Sequence, residues 1–101
     1  MYTIKSVSNE GTWYLVNGWN EHRTYWNQKD NITPYNTFAS PRTAKANLTK
    51  LLKIMEDYRT DDFTLVKFKW NEAHNCYDEI ELGAIKYPMS FWKKYHKVIV
   101  E

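Results

Sequence analysis

The chain has a single cysteine, Cys76, in 101 residues. A lone thiol excludes an internal disulfide and weighs against a structural zinc site, which usually draws on several cysteines. It agrees with a reducing compartment. Glycine and proline are scarce too, at three each, and neither a glycine-rich phosphate loop nor a Walker motif occurs. No uncharged run approaches the ~20 residues that a membrane span needs. The opening residues, MYTIKSVSNEG, lack the apolar centre of a signal peptide. From these absences we expect a cytoplasmic protein with no membrane partner, no bound metal and no cofactor.

Rings are in excess: aromatics reach 17%, with five Trp and eight Tyr. Such side chains bury large areas and favour strands, so they can build a compact core. They are also what the centres of binding surfaces are enriched in. The 43% apolar and 26% charged fractions are those of a folded domain, and the length suits one domain over residues 1–101. The net charge of +2 hides a segregation. Counting each Lys or Arg as +1 and each Asp or Glu as −1, residues 1–29 carry +1, 30–60 carry +2, 61–83 carry −4 and 84–101 carry +3.

The strongest structural signal lies in residues 40–59, SPRTAKANLTKLLKIMEDYR. Ser40 can cap the first turn with its hydroxyl, and Pro41 suits the first helical position. Ala44, Leu48, Leu51, Leu52, Met55 and Tyr58 then recur at helical spacing and share about 120° of the wheel. Arg42, Lys45, Thr49 and Lys53 cluster away from that stripe, with Lys50 at their edge. Such a basic face either rests in water or meets phosphate or an acidic partner. Glu56, Asp57, Asp61 and Asp62 end the helix with charges that oppose its dipole.

Around the helix we predict strands. Residues 2–7 and 12–19 form a hairpin about the turn Ser8-Asn9-Glu10-Gly11, with apolar groups on both faces of its second strand. Gly18 reads as a bulge or a close backbone approach. Residues 24–27 form a third strand and residues 30–37 a loop leading to the helix. Residues 63–70 and 77–82 form a second hairpin. A loop centred on His74 would set Val66 against Leu82 and Phe68 against Ile80, with Lys67 opposite Glu81 and Lys69 opposite Glu79. In the tail, Pro88 can open a short helix bearing Phe91, Trp92 and Tyr95, while Val98-Ile99-Val100 looks like a strand. The expected architecture is α+β, an antiparallel sheet of order β-β-β-α-β-β followed by a short helix or strand, packed on one amphipathic helix.

Chemistry-bearing constellations are weak. Glu72, His74 and Cys76 share one loop, and a single turn closes a tetrahedral metal site only with help from elsewhere. Cys–His nucleophilic catalysis needs a third group to hold the imidazole and an oxyanion site. No carboxylate pair sits in an apolar setting. His22 and His96 read as surface residues. We therefore expect no catalytic residues and no enzyme. The tail interleaves cations and rings in Lys86, Tyr87, Phe91, Trp92, Lys93, Lys94, Tyr95, His96 and Lys97. That mixture suits single-stranded DNA or RNA, where bases stack on rings and lysines track the backbone. It equally suits a protein interface anchored on Trp and Tyr, or rings folded over the sheet with lysines in water. The candidate partner-binding residues are Arg42, Lys45, Lys53, Trp92, Lys93, Lys94, Tyr95 and Lys97.

The stretch WYLVNGWN, followed by Phe38, Ser40, Ala44, Leu48 and Leu51 at their spacings, resembles small accessory proteins of phages and prophages of low-GC Gram-positive bacteria. The resemblance covers residues 12–55, and the abundance of Asn, Lys and Tyr fits the AT-rich codon usage of that source. It implies action by binding, and some such proteins inhibit host defence enzymes such as CRISPR nucleases; the segregated charge, the aromatic excess and the lack of a catalytic set point to a protein partner, with single-stranded DNA or RNA as the alternative. It transfers no functional residue, since its motif concerns fold alone.

Overall fold

The helical stripe folds as α1, Pro41–Ile54. The Thr43 amide donates to Ser40 Oγ at 3.2 Å, so the serine caps the first turn. Ala44, Leu48, Leu51 and Leu52 are completely buried. The computed structural model describes residues 1–18, 26–54 and 62–95. The expected continuation of the helix to residue 59, with Met55, Tyr58, Glu56 and Asp57, lies outside the described residues, as does Asp61.

The strands are β1 (Tyr2–Ser8), β2 (Gly11–Leu15), β3 (Trp26–Asn27), β4 (Asp62–Asn71) and β5 (Cys76–Ile85). They form one sheet in the order β3-β2-β1-β4-β5, with every neighbouring pair antiparallel. The tail supplies a helix, α2 (Met89–Tyr95), and a 3-10 turn, Lys29–Asn31, lies in the loop before α1. The fold is α+β, in the order β-β-β-α-β-β-α. The expected strand Val98-Ile99-Val100 lies outside the described residues, as do Trp19, Thr24 and Tyr25.

β2 stops at Leu15, short of the expected residue 19. The chain turns at Asn17 and Gly18, whose φ of 81° is the left-handed conformation glycine tolerates. The Asn17 amide donates to Asn36 O and its side chain to Thr37 O, both at 2.8 Å. Gly18 therefore belongs to a turn tied to the loop before α1 and makes no bulge within a strand.

Strand alternation assigns the two faces of the sheet. Ile4, Leu15, Phe63 and Leu65 lie on one face and pack with α1, Phe38 and Trp92 as the main core. On the other face Tyr14, Val66 and Phe68 form a smaller cluster, against which Met1, Ile32 and Tyr77 pack. Reciprocal bonds between Tyr2 and Phe38, at 2.9 and 2.8 Å, pin the loop to β1 and seat the Phe38 ring in the core.

The second hairpin corrects the expected register. The pairs are Val66 with Glu81, Lys67 with Ile80, Phe68 with Glu79 and Lys69 with Asp78. The turn is Glu72–Asn75: Asn71 Oδ1 accepts the His74 amide at 3.3 Å, and Asn75 takes a φ of 51°. A loop of this length centres between Ala73 and His74 and shifts every pair beyond it by one residue. The expected register survives only at Phe63, Thr64 and Leu65, across a bulge at Leu82 where Gly83 adopts a φ of 154°. Consequently Lys67 and Lys69 do not oppose Glu81 and Glu79. Ile80 and Leu82 are 40% and 46% exposed rather than core.

Candidate functional site

Among the described residues the helical layer is uniformly basic. Residues 40–54 and 86–95 hold seven Lys or Arg and no Asp or Glu. On α1 these are Arg42, Lys45, Lys50 and Lys53, all exposed, because the buried stripe claims the opposite positions. On the tail Lys86, Lys93 and Lys94 are exposed. Like charges gathered on one layer raise a positive field that steers anionic surfaces toward it.

α2 joins this layer through its rings. Tyr87 and Thr49 share a hydroxyl hydrogen bond of 2.9 Å, which attaches the tail to the flank of α1. Thr49 thus leaves the solvated face expected of it. Burial pushes the Tyr87 phenol above its ordinary pKa, partly offset by that bond. Phe91 sits 4.7 Å from Tyr87, 5.3 Å from Trp92 and 5.0 Å from Tyr95, centroid to centroid. Trp92 itself is 7% exposed within the main core. The Tyr95 ring carries two ammonium groups, Lys53 Nζ at 5.2 Å and Lys94 Nζ at 5.4 Å. Each contact of this kind contributes about 0.5–1 kcal/mol at an exposed site.

The expected surface residues therefore divide. Lys53, Lys94 and Tyr95 come together at the junction of the two helices. Arg42 and Lys45 lie exposed on the first turns of α1, and Lys93 is exposed on α2. Trp92 is turned inward and serves as packing. Lys97, His96 and His22 lie outside the described residues. Glu72, His74 and Cys76 are exposed on the second hairpin, and no trio of His, Cys, Asp or Glu that could hold a metal occurs among the described residues. Among them, too, no helix is long and apolar enough to cross a membrane.

Sequence reasoning missed a polar network on the face of the sheet away from α1. Lys5 Nζ lies 3.1 Å from Glu79 Oε2 and 3.0 Å from Glu81 Oε1. The buried Tyr14 hydroxyl donates to the other oxygen of Glu79. Burial, followed by that bond, raises the Tyr14 pKa, and the bond to Glu81 leads the upward shift of Lys5 against the opposing effect of burial. The available signal was the alternation Glu79-Ile80-Glu81, which puts two carboxylates on one side of a strand. Beside the network a cavity of about 440 Å³ opens between Met1, Ile32, Phe68, Trp70 and Tyr77, with Lys29 and Asp30 among the residues that line it.

The molecule thus presents two surfaces of opposite character, and neither assembles a nucleophile with a base or a metal-binding set from the described residues. No family model, curated protein or solved structure matches the chain, so its functional reading rests on this geometry.

Proposed function

We propose that this is a small non-catalytic binding protein of phage type whose basic helical layer docks on an acidic surface of a protein partner. Inhibition of a host defence enzyme such as a CRISPR nuclease is the form of action that fits the resemblance described above. The observation that carries the reading is the run of seven cations without a carboxylate across residues 40–54 and 86–95. A layer of this kind accelerates encounter with an anionic partner and discriminates against cationic ones.

Single-stranded nucleic acid is the second reading, supported by the Lys53–Tyr95–Lys94 cluster. It has less support, because base stacking needs open ring faces. Trp92 is buried, and Tyr87 and Phe91 pack on one another.

The test compares the wild-type chain with the triple variant Arg42→Glu/Lys45→Glu/Lys53→Glu in capture from a Gram-positive host lysate. All three positions are exposed, so the variant should keep its fold. A stoichiometric protein retained by the wild type and lost by the variant is the expected result, with association slowed at least about tenfold. Absence of any stoichiometric partner overturns the protein reading. Oligonucleotide binding whose logarithm falls steeply with log salt would replace it with the second.

A further inference from the structure

A second surface, independent of the basic layer, lies along β5. This strand ends the sheet and, among the described residues, pairs only with β4. An edge strand offers unpaired backbone N–H and C=O groups to any extended chain. Edges are commonly protected by shortness, proline, charged side chains (lysine above all) or a bulge. β5 runs for ten residues, mostly exposed, and contains no Pro, Lys or Arg. The bulge at Leu82 interrupts it, leaving residues 76–81 as the open run.

The charges of that run select its occupant. Glu79 and Glu81 point to the face away from α1, where the single ammonium of Lys5 serves both. One negative charge remains in excess there. On the other face Asp78 accepts from Asn71 Nδ2 at 2.9 Å and stands opposite Lys69, while Ile80 stands opposite Lys67. Lys67 is the one excess charge among these groups and lies 5.7 Å from the Tyr2 ring centroid, so the free feature of that face is the Ile80 side chain, 40% exposed.

A second copy of the chain fits poorly. Symmetric antiparallel pairing about residue 80 sets Glu79 against Glu81 of the other copy. Pairing about residue 79 or residue 81 sets a glutamate against itself. Carboxylates directly opposite one another across strands are destabilising. The fitting occupant alternates apolar residues, which cover Ile80, with Lys or Arg, which meet Glu79 and Glu81.

We propose that β5 accepts an extended basic–apolar segment of a protein partner by edge-to-edge pairing over residues 76–81. Backbone bonds supply the attachment and alternate side chains the selectivity. Its carboxylates face away from the helical layer, so it meets a different region of a partner, or a different partner.

The probe is an end-blocked eight-residue peptide alternating lysine and valine, set against the same peptide with glutamate for lysine. Amide hydrogen exchange reads each strand separately. At ten times its Kd, the lysine peptide should slow exchange of the outward amides of β5 about tenfold. Raised salt should weaken the effect, and the glutamate peptide should not produce it. Ile80→Lys, at an exposed site, should keep the native spectrum and lose the protection. The triple reversal on α1 should keep the protection, which separates failure here from failure of the basic layer. Equal protection by both peptides, protection elsewhere than β5, or none at millimolar peptide would overturn the proposal. Protection that grows with protein concentration alone would assign the edge to self-association.

Discussion

Beneath the helices the sheet buries Ile4, Leu15, Phe63 and Leu65 against Ala44, Leu48, Leu51 and Leu52. Its opposite face buries a smaller apolar cluster of Tyr14, Val66 and Phe68, and places Lys5, Glu79 and Glu81 beside them. The first face is held by area removed from water, which is non-directional, and among the described residues of β5 Ile85 alone packs against it. The second is held by hydrogen bonds with fixed geometry. Sliding β5 by one residue would carry Glu79 and Glu81 to the helix side, opposite Lys69 and Lys67, and would leave the buried Tyr14 hydroxyl without its acceptor. The hydrocarbon face thus supplies most of the stability, and the polar face selects the register of the second hairpin.

That division is broken most directly by paired deletions. Leu51→Ala, at a fully buried position in the helix stripe, should cost about 2–5 kcal/mol in denaturant unfolding. This is a large part of what a domain of such size possesses. Val66→Ala, equally buried but in the small cluster, removes two methyl groups and should cost about 1.5–3 kcal/mol. A larger loss at Val66 than at Leu51 would reverse the assignment of the two faces.

Removing the cation tests the other half. Lys5→Met leaves Glu79, whose side chain is 16% exposed, without its ion pair. A loss of about 1–3 kcal/mol is expected, most of it the cost of an uncompensated carboxylate. The double variant Lys5→Met/Glu79→Gln should recover part of it, with a coupling of about 0.5–3 kcal/mol. Glu81, 61% exposed in its side chain, should matter less, at up to about 1 kcal/mol on Glu81→Gln. Additive single losses at Lys5 and Glu79 would show that the network does not select register.

How much of this was legible in the sequence follows from the same contrast. The helix was readable because Ala44, Leu48, Leu51 and Leu52 repeat at 3.6 residues and Ser40-Pro41 marks the start. Both hairpins and the tail helix were readable from their turn residues and from Pro88. The register of β4 and β5 was misread because Lys67 and Lys69 offered plausible local partners for Glu81 and Glu79. The cation that actually binds both glutamates is Lys5, more than 70 residues away in sequence, and periodicity contains no trace of it. The candidate site was legible in part. Composition placed cations on α1 and the tail, yet it could not show that Trp92 faces the core while Tyr95 gathers Lys53 and Lys94. A ring's address depends on how one helix packs on another.

The smallest expected effect concerns alkaline pH. Tyr14→Phe removes the hydroxyl that donates to Glu79 and should cost about 1 kcal/mol at neutral pH. Burial, followed by the Glu79 bond, raises the folded pKa of this phenol above its ordinary 10.0. The folded chain therefore keeps a proton that the unfolded chain loses near pH 10.0. The corresponding stability is fully present below that pH and drains away as pH climbs above it. Lys5, raised above 10.5, and Tyr87, raised above 10.0, act with the same sign, so the slope does not vanish when Tyr14 is replaced. Unfolding free energies of both chains measured from pH 8 to pH 11.5 should run parallel up to about pH 10 and then converge, the wild type falling faster. Curves that stay parallel throughout would mean that the phenol is not held protonated by the sheet, and the polar face would lose its most buried member.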